Sequence, residues 1–194
     1  MLAGLTLGCA IALRLIWGFF GSTHARFSGF ALNPKDLVSY AYGMVSGNKR
    51  RWAGHNPASS WASLAMILCG IGLCISGYLM TSGANKEDFE DIHEIFSTIF
   101  IILVLLHILG LIIHTLRHKE LIGLSMIDGK KESVPEHQAI PNKHIWIALL
   151  MLSLLGTFAF NLFRNFDQES GFLNLGGISL QIGSIPGTKE ELTK

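Results

Sequence analysis

The sequence predicts an all-α integral membrane protein, a helical bundle with four transmembrane helices. Its mean hydropathy is +0.42, and only 15% of its 194 residues are charged, whereas soluble proteins average about 25%. A helix needs about 20 predominantly apolar residues to cross a bilayer. Four stretches approach that length, namely residues 1–20, 61–80, 92–116 and 144–163.

The first stretch favours a membrane span over a cleaved signal peptide. A signal peptide begins with positive charge, has a shorter apolar core and ends at small residues. Here the start is uncharged and Arg14 lies deep in the stretch. The aromatic residues near its end, Trp17, Phe19 and Phe20, are typical of the belt at a membrane surface.

The second stretch has a start signal and a surface suited to close packing. Asn56 is a favourable N-cap, and Pro57 fits the first helical position. Small residues along the stretch permit neighbouring helices to approach closely. These residues are Gly70, Gly72, Ser76 and Gly77.

Charges in the connecting segments predict the topology. Residues 21–60 and 117–143 are rich in Lys and Arg, whereas residues 81–91 are mostly acidic. The positive-inside rule places the two basic segments in the cytoplasm, so the tail from Arg164 lies outside. That tail is rich in glycine and lacks helical periodicity, and we predict no regular structure for it. A net charge of +1 gives no indication of nucleic-acid binding, and membrane lipid is the expected surrounding.

The third stretch carries the most informative pair of residues, His93 and His107. Their separation of 14 residues leaves them about 40° apart around a helix and about 21 Å apart along it. This spacing suits two metal centres stacked across the membrane, and imidazole is a common axial ligand of haem iron. His114 lies 7 residues further on. It is better placed for a haem propionate or the membrane surface than for a third iron.

Spacing alone leaves other roles open. Intramembrane histidines also serve proton or ion transport, or pack between helices. Arg14 either faces the bundle interior, where a haem propionate would pair with it, or extends to the cytoplasmic surface about 9 Å away along the helix.

Three segments share motifs with a known family. They are LRLIWGFFGSTHARFSGF at residues 13–30, GHNPAS at 54–59, and DIHEIFSTIFIILVLLHILGLIIHTLRH at 91–118. Together they resemble the bacterial cytochrome b561 family, which includes the b-type cytochrome subunits of nickel-iron hydrogenases. The resemblance covers roughly residues 1–131.

The resemblance implies a four-helix core holding two b haems, each between two histidines. The last core helix supplies one ligand to each haem, and these would be His93 near the outer surface and His107 near the inner surface. His24, on the cytoplasmic side, is expected to contact the inner haem or its propionates. Matching Gly4 and Arg14 to the family pattern makes residues 1–20 the second core helix. We therefore expect Met1 to be an internal methionine, preceded by the first core helix and by the remaining ligands.

The resemblance also divides the chain and implies its activity. Residues 1–131 would form the haem-binding domain, 132–163 a loop and an extra transmembrane helix, and 164–194 an extracytoplasmic tail. The expected function is electron transfer in the bacterial inner membrane between the quinone pool and a hydrogenase, c-type cytochrome or dehydrogenase, whether as a carrier or as an enzyme subunit. Two alternatives stay open: a stand-alone quinone-linked oxidoreductase such as a superoxide oxidase, and a haem-free transporter or proton relay that uses the intramembrane histidines.

Overall fold

The computed structural model describes residues 1–47, 54–81, 86–118, 144–168, 170–175 and 178–181. Within these ranges the chain forms helices α1 to α5 and one antiparallel hairpin of strands β1 and β2. A short 3-10 helix, Phe27–Gly29, follows α1. The other bounds are α1 Leu2–Phe20, α2 Pro34–Ser46, α3 Pro57–Thr81, α4 Lys86–His118, α5 Ile145–Arg164, β1 Phe172–Leu175 and β2 Ile178–Gln181.

Four of these helices, α1, α3, α4 and α5, are long and apolar enough to cross a membrane, which confirms the predicted bundle. Most of their large apolar side chains are exposed, as expected where lipid rather than protein surrounds a helix. Helix α4 is longer than its apolar stretch. Acidic residues that the sequence placed in a connecting loop, such as Asp88 and Glu90, instead belong to its first turns, where the positive end of the helix dipole favours them.

Helix α3 begins as its sequence predicts. The side-chain oxygen of Asn56 accepts a hydrogen bond of 2.8 Å from the backbone N–H of Ser59. The Ser59 hydroxyl donates to the Asn56 carbonyl at 3.0 Å. Pro57 occupies the first helical position, where no backbone donor is needed. This start is therefore fixed by residues adjacent in the chain.

Helix α3 is the centre of the bundle because its glycines admit close neighbours. It packs against α1, α2 and α4, while α1 also contacts α5. A methyl group on Gly72 would lie 2.7 Å from the ring of Phe96 on α4. A methyl group on Gly70 would overlap Ile11 of α1. Within the described ranges α4 contacts α3 but neither α1 nor α5, so the close fit against α3 determines where α4 lies.

Several segments lie together at one end of the bundle, which we call the basic end. It consists of residues 21–47, which follow α1 and include α2, the last turn of α4 and the start of α5. Arg117 of α4 donates hydrogen bonds to the carbonyls of Gly43, at 2.8 Å, and Met44, in the last turn of α2. The Trp17 and His144 rings lie 6.0 Å apart, joining α1 to α5. These contacts agree with the alternating topology that the loop charges predict.

Two elements differ from the sequence-based expectation. Helix α2 lies inside a segment for which no helix is predicted. Asn33 and Pro34 nevertheless repeat the start signal of α3. The side-chain oxygen of Asn33 accepts a hydrogen bond of 3.0 Å from the backbone N–H of Lys35. The prediction of no regular structure after Arg164 is wrong for the hairpin, in which Phe172 pairs with Gln181. Strand β1 contacts α5, and its residue Leu173 is fully buried. Burial of this side chain supports the hairpin.

Replacing Gly72 by alanine is expected to loosen the contact between α3 and α4. The new methyl group would lie 2.7 Å from the Phe96 ring, so the ring must move, and overpacking of this kind costs about 1–3 kcal/mol. Thermal unfolding of the detergent-solubilised protein measures the loss. Gly156→Ala on α5 is the matched control, because no described atom lies within 4 Å of its Cβ position. An equal loss in both variants would contradict the prediction.

Candidate functional site

The histidines of α4 share one face of the helix. Partly buried positions recur every seven residues along it, at His93, Phe100, His107 and His114, and the residue before each of them is exposed. Within the described ranges α4 packs along α3, and Arg117 at its end also binds α2. His93 and Phe100 lie on the side that faces α3. The structure thus places His93 and His107 as their spacing predicts, while their role as metal ligands stays a prediction.

His93 has a specific partner on α3. Its Nδ1 atom lies 2.9 Å from the hydroxyl oxygen of Ser76. That hydroxyl also donates to the carbonyl of Gly72 at 2.8 Å, and Ser76 is only 2% exposed. The ring also lies beside the next residue, Gly77, since a methyl group there would be in ordinary van der Waals contact with the Cε1 atom of His93, at 3.4 Å. The imidazole is therefore held at one nitrogen in a nearly buried setting.

Arg14 extends towards the basic end of the bundle. Its Nη1 atom donates to the carbonyl of Ala25 at 3.3 Å, and its guanidinium lies 5.1 Å from the ring centre of Phe27 and 5.8 Å from that of Phe30. Among the described residues, the carbonyl of Ala25 accepts its hydrogen bond and these two rings lie near its cationic group. A guanidinium has five N–H donors, so several are available for an anionic group. The direction agrees with the surface-seeking alternative, and pairing with a propionate stays a prediction.

An aromatic cluster, consisting of Phe27, Phe30 and His55, lies beside this arginine, which contacts its two phenylalanines. The Phe27 ring fills the space beside Gly18 of α1 and lies 5.5 Å from the ring of Phe30. The Phe30 ring in turn lies 4.8 Å from that of His55. This cluster links the end of α1 to the start of α3. In the sequence, Phe27 and Phe30 stand out only as part of the family motif at residues 13–30. The signal that could have identified them is Arg14, a cation deep in a span that needs a carbonyl or aromatic partner.

The remaining predicted site residues lie at the same end. His24 precedes Ala25, the residue that accepts from Arg14, and its ring lies beside Gly54, where a methyl group would be 3.3 Å from Nδ1. His114 lies one turn before Arg117, which binds α2. The structure therefore brings Arg14, His24 and His114 to the basic end, with His93 towards the opposite end and His107 between.

The described residues contain no group of three or more side chains that could hold a metal ion by themselves. Haem iron does not require one, because the porphyrin supplies four ligands in its plane and the protein adds axial ligands only. The donor set of α4, one imidazole at each of two depths, fits such a role. For His93 the fit is specific, because the contact with Ser76 involves Nδ1 and leaves Nε2 for a ligand.

Comparisons with known proteins agree with this arrangement. A sequence model of the family described as prokaryotic cytochrome b561 matches residues 1–129. The matched region contains α1 to α4 and ends close to residue 131, where the motif resemblance was expected to stop. No curated protein and no solved structure matches the chain significantly.

Replacing Arg14 by glutamine is expected to destabilise the basic end. The variant loses the hydrogen bond to Ala25 and the contacts over Phe27 and Phe30, which together are worth about 1–2 kcal/mol in a partly buried site. Thermal unfolding and the rate of limited proteolysis measure the change. Arg164→Gln is the control, because Arg164 is exposed at the end of α5. The prediction fails where Arg14→Gln unfolds and is cleaved like the unaltered protein.

Proposed function

This chain belongs to the prokaryotic cytochrome b561 family, and from that premise we propose that it passes electrons between the quinone pool and a redox partner by way of two haems. Family membership and the four apolar helices make it a multi-pass membrane cytochrome of electron transfer. The observation that carries the finer proposal is the placement of His93 and His107 on one face of α4, 14 residues apart.

In this proposal α4 contributes one ligand to each iron. Haem b, when bound, supplies reversible one-electron chemistry at its iron. His93 would hold one haem towards the acidic end of α4, and His107 the other towards the basic end. The two histidines are about 21 Å apart along the helix. The two haems would therefore lie at different depths in the membrane, and their porphyrin rings would cover part of that distance. The proposal concerns the ligand that α4 supplies to each iron.

Three residues at the basic end are proposed to bind haem propionates. Arg14 has unused N–H donors, and pairing a guanidinium with a carboxylate gives short, charge-assisted hydrogen bonds. His114 lies about 10 Å beyond His107 along the helix, which is too far to share its iron and suitable for the edge of the same porphyrin. His24 lies next to the carbonyl that Arg14 already contacts. Together these groups would orient the haem held by His107.

The proposed partners follow from a route that crosses the bilayer. Quinone is an apolar carrier confined to the membrane, so it can exchange electrons with a haem buried between helices. A hydrogenase, a c-type cytochrome or another dehydrogenase outside the cytoplasm would exchange electrons at the end that carries His93. The setting we propose is the bacterial inner membrane, with the basic end in the cytoplasm, since that side retains Lys-rich and Arg-rich segments.

The haem assignment is tested on the protein purified from its natural gene in cells supplied with haem precursors. We expect the reduced protein to show the α band of a b-type haem. His93→Ala and His107→Ala should each remove about half of the haem, because each variant removes an axial ligand of one iron. His144→Ala is the control, because His144 precedes α5 and its ring contacts Trp17, and it should retain the full haem content.

Two outcomes would contradict the proposal at different levels. A colourless protein from haem-replete cells would reject the cytochrome function itself. A coloured protein that keeps its full haem content in both His93→Ala and His107→Ala would leave the cytochrome function standing and reject the two ligands that we assign to α4. Total haem is measured against protein by extraction, so the two outcomes are read from the same preparations.

A further inference from the structure

We propose that Ser76 of α3 is a positioning residue for His93: its hydroxyl holds the imidazole in the tautomer and orientation that leave Nε2 as the ligand nitrogen. The inference rests on the proposed function, because it assumes that His93 binds an iron. It goes beyond that function by assigning a role on α3, a helix for which no ligand is proposed.

The hydroxyl of Ser76 lies within hydrogen-bond distance of three polar atoms. The Ser76 hydroxyl has one hydrogen, and its oxygen lies 2.8 Å from the carbonyl of Gly72, one turn earlier in the same helix, and 3.3 Å from that of Leu73. A carbonyl can only accept, so the hydrogen is used there. The same oxygen lies 2.9 Å from Nδ1 of His93, and that contact then requires a hydrogen on Nδ1.

The tautomer follows from this count. A neutral imidazole carries one hydrogen, so with Nδ1 protonated the lone pair is on Nε2. Iron binds the nitrogen that has the lone pair. Ligand histidines in metal sites generally donate their other N–H to an oxygen, which fixes the ring and raises the basicity of the ligand nitrogen. Ser76 is placed to be that oxygen for His93.

The packing around Ser76 makes this contact difficult to replace. Ser76 is 2% exposed, so water has little access to the hydrogen on Nδ1 once the hydroxyl is lost. Gly72, whose carbonyl accepts from Ser76, also meets the Phe96 ring of α4. The His93 ring lies directly beside Gly77. The contact is therefore part of the closest approach between the two helices.

The experiment compares Ser76→Thr with Ser76→Val in the full-length haem protein. The two side chains have nearly the same shape, and only threonine keeps the hydroxyl, so steric effects cancel between them. Ser76→Ala is made as well, and Ser153→Ala on α5, an exposed helical serine, is the control. Three quantities are measured for the haem at His93. They are the affinity with which the haem-free protein binds haem, the low-spin ferric signal in electron paramagnetic resonance, and the midpoint potential.

We expect Ser76→Val and Ser76→Ala to bind haem at the His93 site about 10–100-fold more weakly, the usual cost of losing such a partner. The resonance signal of that haem should broaden or shift, because the imidazole plane is no longer fixed. Its midpoint potential should rise, because a less basic ligand stabilises ferric iron less. Ser76→Thr and Ser153→Ala should resemble the unaltered protein in all three measurements.

The failure of this inference is distinguishable from that of the proposed function. Where His93→Ala keeps both haems, the ligand assignment is rejected and the role of Ser76 with it. Where His93→Ala loses one haem but Ser76→Val matches Ser76→Thr in affinity, signal and potential, His93 remains a ligand and the role of Ser76 alone is overturned. A loss that is equal in Ser76→Thr and Ser76→Val shows a steric effect and also overturns it.

Discussion

The close approach of α3 and α4 is the contact on which the proposed site depends. A lipid-embedded helix gains little from hydrophobic burial against another helix, because lipid chains are as apolar as the side chains they replace. Close packing and interhelical hydrogen bonds must therefore hold the pair together. Gly72 allows the Phe96 ring to lie against the backbone of α3, and Ser76 reaches His93 across the same interface. The glycines that hold the helices together thus also fix the position of the histidine.

The basic end of the bundle is held by cations that bind carbonyl groups and aromatic rings. Arg117 satisfies carbonyls in the last turn of α2, which have no partner within their own helix. Arg14 spans the turn after α1 by contacting Ala25 and Phe27. Each arginine ties a surface segment to a transmembrane helix, so the propionate-binding residues proposed at this end are carried by a fixed scaffold.

The sequence predicts long elements better than short ones, for a physical reason. A transmembrane helix must be apolar along its whole length whatever its neighbours are, so hydropathy locates all four. Helix α2 and the hairpin are too short to be stable alone, and their local signals, such as Asn33 before Pro34, gain weight only through tertiary contacts. The contact of Ser76 with His93 depends on how far α4 is displaced along α3, which no pattern within either helix encodes. The spacing of the histidines, by contrast, is a property of one helix.

In the proposed function, that spacing would let two irons share one helix. A straight α-helix drifts by about 20° with every seven residues, so positions 93, 100, 107 and 114 would gradually leave a straight interface. All four are partly buried, because the drift from position 93 to position 114 amounts to only about 60° around the helix. Fourteen residues therefore keep both histidines on the same face of α4 while separating them by about 21 Å. A separation of 16 residues, by contrast, would turn the second imidazole about 160° away from the first. The length and the face of a single helix would thus decide where the two proposed haems are held.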